Sequence, residues 1–183
     1  RDKGIILKPD ASMALEDWVD ADFCGNWNRE YAMEDPTSAR SRSGYVIRYC
    51  GCPITWRSKL QTEVALSTTE AEYVALSQSL REVIPIMNLL QEAKDSGINV
   101  HHIKPIIRCT VFEDNAGALE LANVPKMRAR TKHINVKYHH FRSFVPHVVS
   151  ILKCHTLDQL GDGFTKATTL DIFLTHRKRL MGW

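Results

Sequence analysis

Four acidic residues, each inside its own short string, run through nearly the whole chain: Asp20 in VDADF, Glu72 in STTEAEY, Asp114 in FEDN and Asp162 in QLGDGFTK. Segments so far apart can share a point only in a fold that brings several strand and helix ends together. A group of carboxylates in a folded interior carries a large unfavourable charge unless cations neutralise it, so acids gathered this way imply Mg²⁺ or Mn²⁺. Two such ions about 4 Å apart can activate a water and stabilise the leaving oxygen in phosphodiester hydrolysis, chemistry that needs three or four carboxylates and little else.

The hydrophobic pattern supplies strands first. Segments 18–23, 44–50 and 54–59 are short, rich in β-branched or aromatic residues and separated by Gly, Pro, Asn or Ser clusters, the signature of successive antiparallel strands. A long helix follows, entered at Ser67 or Thr68 with Glu70 and Glu72 in its first turns and stopped by Gly97. Its stripe of Tyr73, Leu76, Leu80, Val83, Ile84, Met87 and Leu90 recurs at spacings of three and four, so one face packs on the sheet. Pro85 should bend this helix or leave a carbonyl unpaired. Segment 106–112 reads as a further strand with Asp114 at its C-terminal end, and 116–122 as a short helix. A second helix is expected over 133–144, a last strand over 148–154, and a helix over 157–167 that carries Asp162. Strands and covering helices in this order make an α/β domain on a mixed sheet.

A length of 183 residues, 44% hydrophobic and 25% charged, is that of one globular domain with a substantial core. The apolar runs are short and broken by charges, and no N-terminal signal segment is seen, so no membrane partner is expected. A chain that opens on Arg1 is expected to be a piece of something longer. Its five cysteines form an odd set without metal-finger spacing, which points to reduced thiols in an intracellular compartment. Cys50-Gly51-Cys52 by itself is a weak zinc signal.

Net charge is only +3, yet no Asp or Glu occurs from Leu121 to Leu157. That stretch carries Lys126, Arg128, Arg130, Lys132, Lys137, Arg142 and Lys153, with His133, His139, His140, His147 and His155 interleaved. An isolated charge run is ordinarily a solvated face. Beside an acidic metal site, with histidines and aromatics among the cations, it suits a polyanion held along its phosphates. Arg128, Arg130, Lys132, Lys137 and Arg142 are the candidate phosphate contacts.

Each acid string offers a choice. Asp20 and Asp22 lie two apart and face the same way on a regular strand. Glu113 and Asp114 alternate to opposite faces, so one is a ligand candidate and the other is not, and Asp114 could instead cap the helix that follows. Glu70 and Glu72 differ by about 200° around a helix; Glu72 lies about 60° from the centre of the apolar stripe and Glu70 about 100° away on the other flank. Glu72 is nearer the interior, and Glu70 fits an exposed acid at a helix N-terminus. Gly161 and Gly163 flank Asp162 and each loosens a helix by about 1 kcal/mol, so this acid is expected to be softly held.

The strings that hold these acids, with SRSGY at 41–45, PITWRSK at 53–59 and RTKHINVKYHHFR at 130–142, resemble in order the ribonuclease H domain of copia-type long-terminal-repeat retrotransposon polyproteins, from about Trp18 to Lys166. The resemblance implies a ribonuclease H-like α/β fold: a five-stranded mixed sheet, its first three strands antiparallel, with helices on both faces. It implies a site for two Mg²⁺ ions, with Mn²⁺ as the alternative, and cleavage of the RNA strand of RNA/DNA hybrids during reverse transcription. The setting would be the cytoplasm within a virus-like particle, or the nucleus.

The family pattern places the ligand at the first Asp of DAD, which is Asp20. Its pattern of Glu, two residues, then Ala fits Glu72 to Ala75, and it favours Asp114 and Asp162, the last between glycines where the family more commonly has Ala-Asp-Ile/Val. Asp20 would bridge two ions, Glu72 and Asp114 would complete one coordination sphere, and Asp162 would help hold the other. Residues 1–16 would be a connector from an upstream reverse transcriptase domain, 17–167 the ribonuclease H domain, and 168–183 a basic C-terminal tail with His176, Arg177, Lys178 and Arg179. The histidine-bearing loop of many cellular ribonucleases H is missing before Asp162, and no role passes to His155. Two other classes fit the same acids: a catalytically silent fold that binds nucleic acid or braces a polymerase, and a related-fold DNA nuclease or integrase.

Overall fold

The computed structural model describes residues 4–30, 34–100, 106–124 and 136–183. Three strands come first, β1 (Leu15–Asp22), β2 (Arg42–Tyr49) and β3 (Cys52–Leu60), then the helix α1 (Thr68–Asp95), β4 (Cys109–Glu113) and α2 (Ala116–Asn123). A 3₁₀ segment (Val136–Phe144), β5 (Val149–Lys153) and α3 (Leu170–Met181) follow. The strands form one five-stranded sheet in the order β3-β2-β1-β4-β5. β1 to β3 make the expected antiparallel meander, whereas β4 runs parallel to β1 and β5 parallel to β4.

The β2–β3 hairpin takes its register from a two-residue loop. Tyr49 pairs with Cys52, and Cys50 (φ 50°) and Gly51 (φ 76°) both adopt left-handed backbone, which a type I′ turn requires and whose twist matches the strands. The Arg48 guanidinium donates to the Gly51 carbonyl at 2.6 and 3.0 Å and pairs with Glu16 at 3.2 Å, tying the turn to β1. The Cys-Gly-Cys string is turn chemistry, with Cys50 buried beneath it.

Both faces of the sheet are covered. On one, α1 lays Tyr73, Leu76, Leu80, Val83 and Met87 into a core with Leu15, Val19, Tyr45, Ile47 and Val111. Pro85 does not end this helix; between buried Val83 and Met87 it lies on the exposed side, as does Arg81, whose carbonyl it leaves without a helical donor. On the other face Trp18, Val46 and Leu160 form a smaller core with Phe112, Phe164 and Leu180. Trp18 stacks on Phe112 with ring centres 4.0 Å apart, and the Arg179 guanidinium of α3 lies 4.8 Å from the Trp18 ring centre. β1 begins at Leu15, wholly buried and two residues inside the segment expected as a connector. Further out, the Ile6 N–H donates to the Met181 carbonyl at 2.9 Å and the Trp183 indole to the Gly4 carbonyl at 2.7 Å.

Two expected α-helices take a tighter form. Residues 133–135 lie outside the described residues, and from Val136 to Phe144 the backbone is 3₁₀, with Tyr138 and Phe141 still buried beside α1. An acid-free stretch offers its cations no ion pairs at helical spacing, and β-branched and imidazole side chains add little helix propensity. Residues 157–167 are two short 3₁₀ pieces, Thr156–Asp158 and Leu160–Phe164, instead of one helix. They meet at Gln159, whose backbone is extended (φ −68°, ψ 100°) and whose side-chain amide is committed to the Val19 and Phe112 carbonyls at 2.8 and 3.2 Å.

One acid is buried in the main core. Asp17 on β1 is fully buried, and desolvation, opposed by a smaller lowering from the Ser79 hydroxyl, raises its pKa from 3.8 to about 7. Between these values the folded chain binds more protons than the unfolded one. The resulting stability is fully present below the lower pKa and is lost as pH rises through about 7, on the order of 4 kcal/mol in all. Asp17→Asn should remove that loss. In urea unfolding with EDTA at pH 5 and pH 8, the variant is expected to be more stable than wild type at pH 8 and to change less between the two; equal pH dependence in both chains would show that Asp17 does not titrate in this window.

Candidate metal centre

Trp18 stands opposite Phe112 in parallel register, so two residues further on the C-terminal ends of β1 and β4 deliver Asp20 and Asp114 side by side. Glu72 reaches the same point from the second turn of α1. One carboxylate oxygen from each of Asp20, Glu72 and Asp114 lies within 4.8 Å of the other two. Asp20 and Glu72 are 1% and 6% exposed, Asp114 is half-buried, and Oε2 of Glu72 has no hydrogen-bond partner. Local capping explains the choices within each string. Ser67 accepts the Glu70 N–H at 3.1 Å and the Glu70 carboxylate accepts the Leu66 N–H at 2.9 Å, so Glu70 holds the start of α1. Asn115, not Asp114, caps α2, accepting from the N–H groups of Gly117 and Ala118 at 2.9 and 3.0 Å.

Asp162 approaches Asp20 from the other side of the sheet and stands outside the group of three acids. It is 5% exposed, and the Lys166 ammonium lies 3.0 Å from its Oδ1 and 3.5 Å from Oδ1 of Asp20. The Thr165 hydroxyl donates to the second Asp20 oxygen. Gly161, expected to loosen the segment around Asp162, instead permits a close contact. A Cβ on Gly161 would lie 2.9 Å from the Asp20 nitrogen and 3.0 Å from the Asp20 Cβ, so a glycine is what lets this turn rest on β1. Gly44, paired with Asp20 across β1 and β2, does the same for Thr165 and Phe164, which an added Cβ would meet at 2.6 and 2.8 Å.

A fifth acid joins them. β4 turns Cys109, Val111 and Glu113 inward, and Glu113 is wholly buried, with Oε1 accepting the Asn115 N–H at 3.0 Å and Oε2 unpartnered. Alternation separates Glu113 from Asp114 as expected, but the face that Glu113 takes leads toward Glu72. Burial, then the charges of Glu113 and Asp20, push the Glu72 pKa far up, and burial likewise raises Glu113 and Asp162. Burial works against the Lys166 charge, but Asp20 and Asp162 outweigh it and raise its pKa. A donor set made of carboxylate oxygens, two of them buried and unpartnered, fits a hard divalent cation.

The fold is that of solved ribonucleases H. LC11-RNase H1, isolated from compost, matches with a TM-score of 0.56 at 14% identity, over 83% of this chain and 92% of that one. The N-terminal ribonuclease H domain of a Mycobacterium tuberculosis protein matches with a TM-score of 0.50 at 10% identity, over 90% of this chain and 96% of the other. No protein-family model matches. In sequence the chain is 34% identical over 160 residues to the retrovirus-related Pol polyprotein of transposon TNT 1-94 from Nicotiana tabacum, which is 87% of this chain. It is 33% identical over 180 residues, 98% of its length, to that of transposon RE2 from Arabidopsis thaliana. The chain has copia-type retrotransposon Pol polyproteins as its homologues. It spans about 11% of the length of each of these two relatives and has the ribonuclease H fold.

The candidate phosphate contacts are only partly placed. Arg128, Arg130, Lys132 and His133 lie outside the described residues. Lys137 pairs with Glu63 at 2.5 Å, and Arg142 donates to the Val124 carbonyl. Lys137 lines a groove of about 380 Å³ with Arg57, Lys59 and Arg81, cations of β3 and α1 that are scattered along the chain and so form no visible run. His139 and His140 face α1 instead, bonding Tyr73 and Ser77 hydroxyls at 2.8 and 3.4 Å, and His155 Nδ1 accepts the Leu157 N–H at 3.2 Å.

The seating of Asp162 is open to a direct check. Gly161→Ala forces a methyl against the β1 backbone and should cost about 1–3 kcal/mol in urea unfolding. Gly163→Ala, with nothing within 4 Å of the added carbon, should stay within about 0.5 kcal/mol of wild type. Equal stability of the two variants would show that the turn does not rest on β1.

Proposed function

We propose that this chain is the ribonuclease H of a retrotransposon Pol polyprotein, hydrolysing the RNA strand of RNA/DNA hybrids in a reaction that needs divalent metal. The observation that carries this reading is the meeting of Asp20, Glu72 and Asp114 within 4.8 Å around a buried, unpartnered Glu72 oxygen. Asp20, Glu72 and Asp114 would hold one Mg²⁺ ion, or Mn²⁺, and Asp20 with Asp162 a second. When bound, two such ions supply the charge that activates an attacking water and stabilises the leaving oxygen of an in-line displacement.

The protein's own part is orientation. Thr165 fixes one oxygen of Asp20, the Ser67 cap sets the turn from which Glu72 faces inward, and Asn115 takes the capping role that would otherwise occupy Asp114. Half-buried Asp114 is the acid most open to solvent, which gives a phosphodiester its side of approach. Recognition of the RNA strand would rest on 2′-hydroxyls and hybrid shape. An upstream reverse transcriptase domain of the same polyprotein is the natural partner, and a virus-like particle in the cytoplasm the setting.

A cleavage assay on labelled RNA/DNA hybrid, double-stranded DNA and double-stranded RNA tests the reading. Only the hybrid should be cut, and only with Mg²⁺ or Mn²⁺ present. Asp20→Asn, Glu72→Gln and Asp114→Asn should each lower the rate by about 10³-fold or more, because each removes several kcal/mol of charge stabilisation. Glu70→Gln should be mild, and Glu72→Gln, which removes a buried acid with an unpartnered oxygen, should melt no lower than wild type in EDTA. Cutting of double-stranded DNA would indicate a DNA nuclease, and tight hybrid binding without cleavage a silent domain.

A further inference from the structure

The metal reading leaves one cation in the centre unexplained. The Lys166 ammonium sits 3.0 Å from Asp162 and 3.5 Å from Asp20, between the two acids assigned to the second ion. Its backbone is fixed, because the N–H groups of Thr165 and Lys166 both donate to the Asp162 carbonyl, at 3.1 and 3.0 Å. Its side chain is 39% exposed, against 1% and 7% for the Asp20 and Asp162 side chains. A long flexible stem at the rim can leave by rotamer changes alone, while the acids cannot move. Glu72 and Asp114 have no such cation in contact among the described residues, and Oε2 of Glu72 stays unpartnered.

We propose, resting on the metal-centre reading above, that Lys166 is a tethered occupant of the Asp20–Asp162 half of the site and sets the order in which it fills. An ion enters first among Asp20, Glu72 and Asp114. The second must displace the ammonium, so the chain alone takes it up weakly. A nucleic-acid phosphate arriving at the site offers the displaced ammonium a replacement anion, and full loading is thereby linked to substrate. Lys166 is a positioning residue in this scheme: it acts on the occupancy of the site, not on the reacting atoms.

The test uses the 183-residue chain, without nucleic acid, titrated with Mn²⁺ while free Mn²⁺ is read by electron paramagnetic resonance, together with melting in EDTA at low salt. Wild type should show one tighter and one weaker ion. In Lys166→Met the weaker ion should tighten by about tenfold or more, since a competing charge is gone, while the tighter one shifts much less. Metal-free Lys166→Met should melt lower than wild type, and Lys166→Arg should keep both the weak second ion and the melting temperature. If Lys166→Met does not fold, Lys166→Gln is read in its place. Identical Mn²⁺ affinities in wild type and the neutral variant overturn the role of Lys166 and leave the metal reading standing. No Mn²⁺ bound by either overturns both.

Discussion

The site depends on how closely the turn at 160–165 can approach the end of β1. Two glycines permit that approach, Gly161 against Asp20 and Gly44 against Thr165 and Phe164. The Gln159 amide then pins the turn to β1 and β4 at once, through the Val19 and Phe112 carbonyls. Because β1 and β4 are parallel, their C-terminal ends lie together, and a segment clamped to both is held against Asp20 and Asp114 without a helix of its own. Asp162 is therefore positioned by backbone contact. The smaller core of Trp18, Val46 and Leu160 supports the turn from beneath.

The sheet was readable because its signals are local. Alternating β-branched runs, the Ser67 cap and the stripe on α1 each follow from side-chain spacing, and the structure places strands and α1 within a few residues of where those signals put them. The break between the two 3₁₀ pieces at 156–164 has no local signal, because Gln159 abandons helical backbone for partners 140 and 47 residues away. No window around residue 159 contains Val19 or Phe112. The same holds for Pro85, whose tolerance depends on which side of α1 faces water.

The acids divide along the same line. Glu72 over Glu70 could be argued from helix geometry, and the structure adds the reason, since Glu70 is engaged in capping. Asp20 over Asp22 and Asp114 over Glu113 needed the family pattern, because alternation says that two neighbours differ and not which one faces the centre. Glu113 shows the limit of that argument. Its inward face could have been read from Cys109 and Val111 at the same parity, two small apolar residues that continue a buried row into the acid. The groove of Arg57, Lys59, Arg81 and Lys137 leaves no mark in the sequence for the opposite reason: its cations share a place in space and no run in sequence.

Five carboxyl groups in one place cannot all be charged in a metal-free interior, and the fold compensates in two separable ways. Toward α1, Glu72 and Glu113 are deeply buried and lack a contacting cation among the described residues, so burial favours their protonated forms. Toward the 3₁₀ turn, Asp20 and Asp162 share the Lys166 ammonium and the Thr165 hydroxyl, so charge is met by charge. A divalent ion entering on the first side would exchange for protons, and its affinity would follow pH. On the second side it would have to displace an ammonium whose own pKa is raised, so competition there would follow the reach of a side chain. One acid, Asp20, belongs to both halves, because β1 passes between α1 on one face of the sheet and the turn on the other.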